Sequence, residues 1–218
     1  MQSENLSGAD NQQGSPRHRP VDGRVTPQRL HAELLAAGKT GLEAYLLGSL
    51  CDGTYSARHG TYRFTQREIG WLQVIQDALS LLGYRSWIYR EGKERNVWAV
   101  ETAARFLTCP LNYSSLSRSA DALHYVRGYF DADGGIPRHF GTRLYVQMCQ
   151  KDRVSLERVV TILESHGIRC GRIHNPSVRV DPDYWRFFVK TESHISFLRD
   201  VSSWHPVKRQ QMNIRMKI

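Results

Sequence analysis

The chain has 218 residues, enough for one or two domains with a sizeable core. Hydrophobic residues make up 40% and charged residues 23%, as in ordinary globular proteins, and no run of about 18 apolar residues offers a transmembrane helix. A formal net charge of +9 makes nucleic acid or an acidic membrane surface the leading partner classes.

Residues 1–25 are rich in Ser, Gln, Asn, Gly and Pro and lack the apolar core of a signal peptide, so a disordered tail is expected. Its basic tract RHRPVDGR reads as solvated chain. Helical character begins near Thr26 in PQRLHAELLAAGKT, which meets a glycine near its end. The rest reads as a two-fold repeat, with a first half over 26–110, a linker over 111–118 and a second half over 119–218. The first copy predicts a helix at 41–52, strands at 54–59 and 61–66, a helix at 68–82, strands at 84–90 and 95–101, and a helix at 102–107. The second predicts a helix at 119–133, strands at 135–140 and 142–149, a helix at 151–166, strands at 168–174 and 183–190, and a helix at 192–202. FTQREIGWLQVIQDALSLLG matches MCQKDRVSLERVVTILESHG in length and apolar pattern, and Gln66 stands to Gln150 at the same spacing as Gly83 to Gly167.

In the second copy Arg143, Tyr145 and Gln147 alternate with Leu144, Val146 and Met148; in the first, Thr61, Arg63 and Thr65 alternate with Tyr62 and Phe64. One face of each sheet is therefore core. The other is polar with recurring basic residues, a candidate reader of a DNA groove. The candidate contacts are Arg58, Arg63, Arg90, His139, Arg143, Tyr145, Gln147, Arg172 and His174. Trp71, Trp87, Trp98, Phe187 and Phe188 are expected in the core. Cys51, Cys109, Cys149 and Cys170 are dispersed with no C-x-x-C pair, which suits free thiols in an intracellular, reducing compartment.

Each copy also ends an apolar helix in an acid followed by glycine. Aligning YLLGSLCDG with YVRGYFDADG pairs Asp52 with Asp133 and leaves Asp131 opposite Leu50, as a local hydrogen-bonding residue. A carboxylate at a helix C-terminus faces the negative end of the dipole, a poor place for a lone acid and a good one for an acid holding a cation. Hard cations such as Mg²⁺ take oxygen ligands, and two acids together would build a site for phosphodiester hydrolysis. Ala44 and Gly48, with Gly128 and Ala132, sit at the four-residue spacing that lets two helices pack closely.

The paired stretches, above all VRGYFDADG, resemble the motifs of the LAGLIDADG homing endonucleases in their single-chain, two-motif form. The resemblance covers residue 41 to the C-terminus. It implies an α+β fold of two pseudo-symmetric αββαββα half-domains, packed through the motif helices, whose antiparallel sheets form a saddle on DNA. It implies a monomeric enzyme cutting both strands of a long, asymmetric site in double-stranded DNA. Mg²⁺ would be the cofactor, with Mn²⁺ or Ca²⁺ able to substitute for binding. Asp52 and Asp133 would hold the metal with the backbone carbonyls of Cys51 and Ala132. Gln66 and Gln150 would organise water there, and VKRQQMNI would supply an active-site lysine, Lys208. The first motif departs from the second, since Gly48 stands four residues before its acid and Gly128 five. Arg118 is the nearest basic counterpart of Lys208 in the first copy. The alternative is an intron-RNA splicing maturase or DNA-binding regulator of the same fold. Without evident splice-junction elements at the chain ends, a free-standing or intron-encoded enzyme is expected rather than an intein.

Overall fold

In a computed structural model, residues 27–92, 95–108, 116, 119, 121–139 and 141–216 are described. The tail at 1–25, Cys109, Arg118 and all of the linker but Leu116 lie outside them. Helix α1 (Pro27–Ser49) is broken at Gly38, whose φ of 65° and ψ of −175° leave the helical region. Only a residue without Cβ takes that conformation freely, so the chain bends there and the segment after it becomes the first motif helix. A 3-10 turn over Leu50–Asp52 follows, then strands β1 (Thr54–Ser56) and β2 (Thr61–Gln66). Helix α2 (Ile69–Leu81) buries Trp71, Leu72, Val74, Ile75, Ala78 and Leu79 at helical spacing. Strands β3 (Ser86–Arg90) and β4 (Trp98–Thr102) complete an antiparallel sheet of order β1-β2-β4-β3.

The second half repeats the plan. Helix α3 (Ala122–Asp133) leads to β5 (Gly134–Gly135), β6 (Gln147–Gln150), helix α4 (Arg153–Ser165) and β7 (Trp185–Phe188), in a sheet of order β5-β6-β7. A wound segment over 191–201, passing from 3-10 through a short α stretch at His194–Ser196 to π, precedes the C-terminal helix α5 (Pro206–Met216). The repeat extends to the helix ends. Gly83 (φ 81°) closes α2 with Gly83 N–H bonded to Ser80 O and Tyr84 N–H to Leu79 O, and Gly167 (φ 75°) closes α4 through the equivalent pair to Glu164 O and Leu163 O.

The strands of the second half are shorter than expected. The strand expected over 135–140 reduces to β5, and the one over 168–174 to single bridges, Cys170 with Val189 and His174 with Arg186. The helix expected over 102–107 is a 3-10 turn, Arg105–Thr108. Apolar alternation marks the face a segment buries, but a ladder also needs a partner at continuous register.

Each half has its own core, the first around Phe64, Trp71 and Trp204, the second around Phe130, Met148 and Phe187. They meet at α1 and α3. A Cβ added at Gly48 would overlap the Tyr125 carbonyl, and one at Gly128 the Tyr45 carbonyl, so the backbones cross in contact where only glycine fits. Ala44 packs into the second half's core and Ala132 into the first half's.

Candidate active site and nucleic-acid interface

The 3-10 turn resolves the departure between the two motifs. An α-helix rises about 1.5 Å per residue and a 3-10 helix about 2.0 Å. Four residues from Gly48, three of them in the 3-10 turn, therefore advance about as far as five α-helical residues from Gly128. Both acids emerge at the same end of the crossing. Asp52 keeps a solvent-exposed edge, but the surrounding protein desolvates it, and this with the charge of Asp133 pushes its carboxyl up to about 6. Burial raises Asp133 as well, opposed by the Cys51 thiol and by Lys208. Burial thus disfavours the ionised form of both carboxylates, and for Asp52 the charge of Asp133 adds to it.

Gln150, at the end of β6, ties the two motifs together. Its Nε2 donates to Cys51 O at 2.9 Å and to Asp133 Oδ2 at 2.6 Å. Gln66, its counterpart, instead lines an open cleft of about 730 Å³ with Ala132 and Lys208. A second cleft of about 440 Å³ opens beside Cys51, Gln150 and Lys151. Arg67 and Lys151, each following its glutamine, repeat in the two clefts, whereas Lys208 lines the first only.

Lys208 lies in the first turn of α5. Its Nζ donates to Phe130 O at 2.6 Å and Asp131 O at 2.8 Å, carbonyls at the end of α3 that carry the negative pole of the helix. Burial lowers its pKa, and Asp131 and Asp133 oppose the shift. Asp131 is fully buried, and its partners are not local. Its carboxylate accepts from Tyr45 Oη at 2.9 Å, Trp204 N at 2.9 Å, His205 N at 3.0 Å and Ser203 Oγ. Tyr45 in turn accepts from Trp71 Nε1 at 3.0 Å. Arg209, one residue after Lys208, grips Glu33 of α1 with both terminal nitrogens. Sequence alone had no signal for these anchors beyond the buried pattern of α3.

The candidate ligands are all hard oxygens, from the Asp52 and Asp133 carboxylates and the Cys51 and Ala132 carbonyls. Burial first, and then the charge of Asp133, disfavour the ionised form of Asp52, and a divalent cation would offset both, so this donor set fits Mg²⁺. No cluster of three or more His, Cys, Asp or Glu side chains occurs among the described residues; such a site would have to be completed by backbone oxygens and water. Cys149 donates its thiol to Asp133 O at 3.4 Å, a structural role.

The open faces of the sheets follow from register. On the first, Arg63 lies across from Glu101, with Trp87 and Tyr89 beside it. Trp87 is 45% exposed, so it belongs to this face and not to the core as expected. Arg63 is already engaged, its guanidinium paired with Glu91 at 2.8 Å, while Glu101 accepts from Tyr89 Oη at 2.9 Å and from Thr61. Arg58 is exposed in the turn after β1 instead of on a strand. Arg90 ends β3 on the side opposite Arg63, its Nε bonded to Arg95 O at 3.3 Å. On the second sheet Gln147 faces outward and donates to Tyr184 Oη at 3.4 Å. Tyr145 meets the ring of Phe188 edge-on, which brings Phe188 to the open face as well. His139, Arg143 and Arg172 are exposed in loops beside it. Arg186, absent from the expected contacts, shares the face with His174. It alternates with buried Phe187 as Gln147 does with Met148, so the same pattern could have found it.

Two crossing helices that end in acids, each followed by an antiparallel sheet and a covering helix, define the LAGLIDADG fold in its single-chain form. The solved structures this chain superposes on bear that out. The homing endonuclease I-DmoI in complex with DNA and Mn matches at a TM-score of 0.56 and 17% identity, over 75% of this chain and 97% of that one. Full-length DUF199/WhiA from Thermatoga maritima matches at 0.60 and 13% identity, over 89% and 68%. The N-terminal LAGLIDADG domain of DUF199/WhiA matches at 0.58 and 13%, over 82% and 90%. Further I-DmoI structures hold target DNA in the presence of Mg, or DNA and Ca. No family model and no curated protein matches the sequence. No helix among the described residues is long and apolar enough to cross a membrane.

Proposed function

We propose that this protein is a site-specific endonuclease of double-stranded DNA that depends on a divalent cation. The observation that carries this reading is the convergence of the two motif ends, where Gln150 joins the Cys51 carbonyl to Asp133 and where burial and the nearby Asp133 charge disfavour the ionised form of Asp52. Asp52, Asp133 and the carbonyls of Cys51 and Ala132 would hold the cation, which when bound would supply Lewis-acid stabilisation of phosphate oxygens. Gln150 orients Asp133 and the Cys51 carbonyl on one side. On the other, Gln66 shares the cleft with Lys208, whose ammonium stabilises charge developing on the phosphodiester. The expected ends are 5′-phosphate and 3′-hydroxyl. Two unlike sheets favour a long, asymmetric target read by a monomer, intron-encoded or free-standing.

A second reading is a regulator or intron-RNA maturase of this fold that binds without cutting. In its favour, Gln150 presents N–H donors to two of the candidate metal ligands. Cleavage selection on a randomised DNA library separates the two, run with Mg²⁺, Mn²⁺ or EDTA on the unaltered protein, Asp52→Asn and Asp133→Asn. Metal-dependent cutting at one long site, lost in both variants, is the expected result. Selective binding without cutting in either metal would reject the enzyme and leave the second reading.

A further inference from the structure

Among the described residues, β7 lies inside its sheet, between β6 and the segment bridged at Cys170 and His174. Phe187 points into the core, so Arg186 and Phe188 point out from the middle of the open face. The Arg186 side chain is held there by neutral groups. Its guanidinium lies over the Phe188 ring at 5.2 Å, and its Nε donates to His174 Nε2 at 3.4 Å. His174 is set to accept, because its Nδ1 donates to Arg172 O at 3.2 Å and leaves Nε2 with its lone pair. The backbones of the two residues are also doubly bonded, at 2.9 and 3.0 Å. His174 stacks on Phe188 with 27° between ring planes.

This arrangement spends Nε and leaves the two terminal nitrogens as an oriented fork. Among the described residues neither makes a hydrogen bond or an ion pair, whereas Arg63 on the first sheet is ion-paired with Glu91 through one terminal nitrogen. A fixed, charged pair of parallel donors in the middle of a groove-reading face suits two adjacent acceptors in one plane. In the DNA major groove the O6 and N7 of guanine provide them. We infer that Arg186 is a specificity-determining residue that reads one guanine through its terminal nitrogens, and that His174 is the positioning residue that orients it. The inference rests on the DNA-recognition part of the proposed function and not on cleavage. A backbone phosphate could take the same fork, but phosphates flank a groove whose floor a central strand faces.

The test is binding selection from randomised duplexes in Ca²⁺, with the unaltered protein, Arg186→Lys and His174→Gln. Lysine keeps the charge and loses the fork. The selected site should hold a guanine whose preference falls on the order of tenfold in Arg186→Lys while other positions and non-specific affinity persist. His174→Gln should weaken the same position and no other. Melting curves identify a variant that fails to fold, in which case the other variant decides. A uniform loss of affinity with every preference kept would make Arg186 a phosphate contact and overturn the inference, as would unchanged selection. If the unaltered protein selects no sequence, the DNA-recognition reading falls and this inference with it. Selection without cutting would leave the inference standing and reject only the nuclease.

Discussion

Asp131 and Lys208 hold each other from both ends. The Asp131 carboxylate fastens the backbone of Trp204 and His205, which lead into α5, and the Asp131 carbonyl then receives the Lys208 ammonium carried by that helix. The non-repeated acid of the second motif thus builds the platform for the lysine. Asp131→Ala would remove the shared acceptor of four donors in a buried site, leaving Tyr45 Oη and the Trp204 N–H with no other, and should cost about 3–5 kcal/mol in urea denaturation. Asp131→Asn keeps an acceptor for the two N–H groups and turns its own amide to Ser203 Oγ, so its loss should be about 1–2 kcal/mol. Equal losses would show that the hydrogen-bond pattern is not what stabilises this corner.

Lys208 lies among the charges of the site and not on a sheet face. Lys208→Met should therefore lower single-turnover cleavage by about 10²-fold or more. Affinity for target DNA in Ca²⁺ should stay within a few-fold. A parallel loss of binding would reassign the lysine to phosphate contact.

The Asp52 carboxyl sits at about 6 in the folded chain against an ordinary 3.8, so folding disfavours its ionised form. The penalty is complete above pH 6, shrinks as pH falls, and is gone below 3.8. Asp52→Asn should then raise the melting temperature at neutral pH, and the gain should vanish toward the acid end of that window. A constant gain across the window would mean that ionisation of Asp52, disfavoured by its burial and by Asp133, is not the cause. For the unaltered protein, the half-saturating Mg²⁺ concentration should rise as pH drops below 6, because protons compete with the cation.

Gly48 and Gly128 meet the opposite backbone in equivalent ways. Gly48→Ala and Gly128→Ala should each destabilise the fold by about 3 kcal/mol or more, read from thermal or chemical melts. A tolerated substitution at either position would mean the helices pack farther apart than described.

The repeat, the two crossing helices, the paired acids and the buried alternation of β6 were legible because each is a local pattern. Period and small-residue spacing report which side of a segment is buried. The same signals misplaced Trp87 and Phe188, since an aromatic on the open face alternates as regularly as one in the core. They also over-extended the strands of the second half, where the ladder lacks a continuous partner.

By itself the sequence determined the architecture of two related halves and the acids at their junction. Only the tertiary structure decided how four residues of one motif match five of the other. It also gave Asp131 partners from α1 and the residues before α5, and it neutralised Arg63 while leaving the fork of Arg186 open. Those outcomes depend on which groups meet across long sequence separations, and a chain's local periodicity carries no record of its distant contacts.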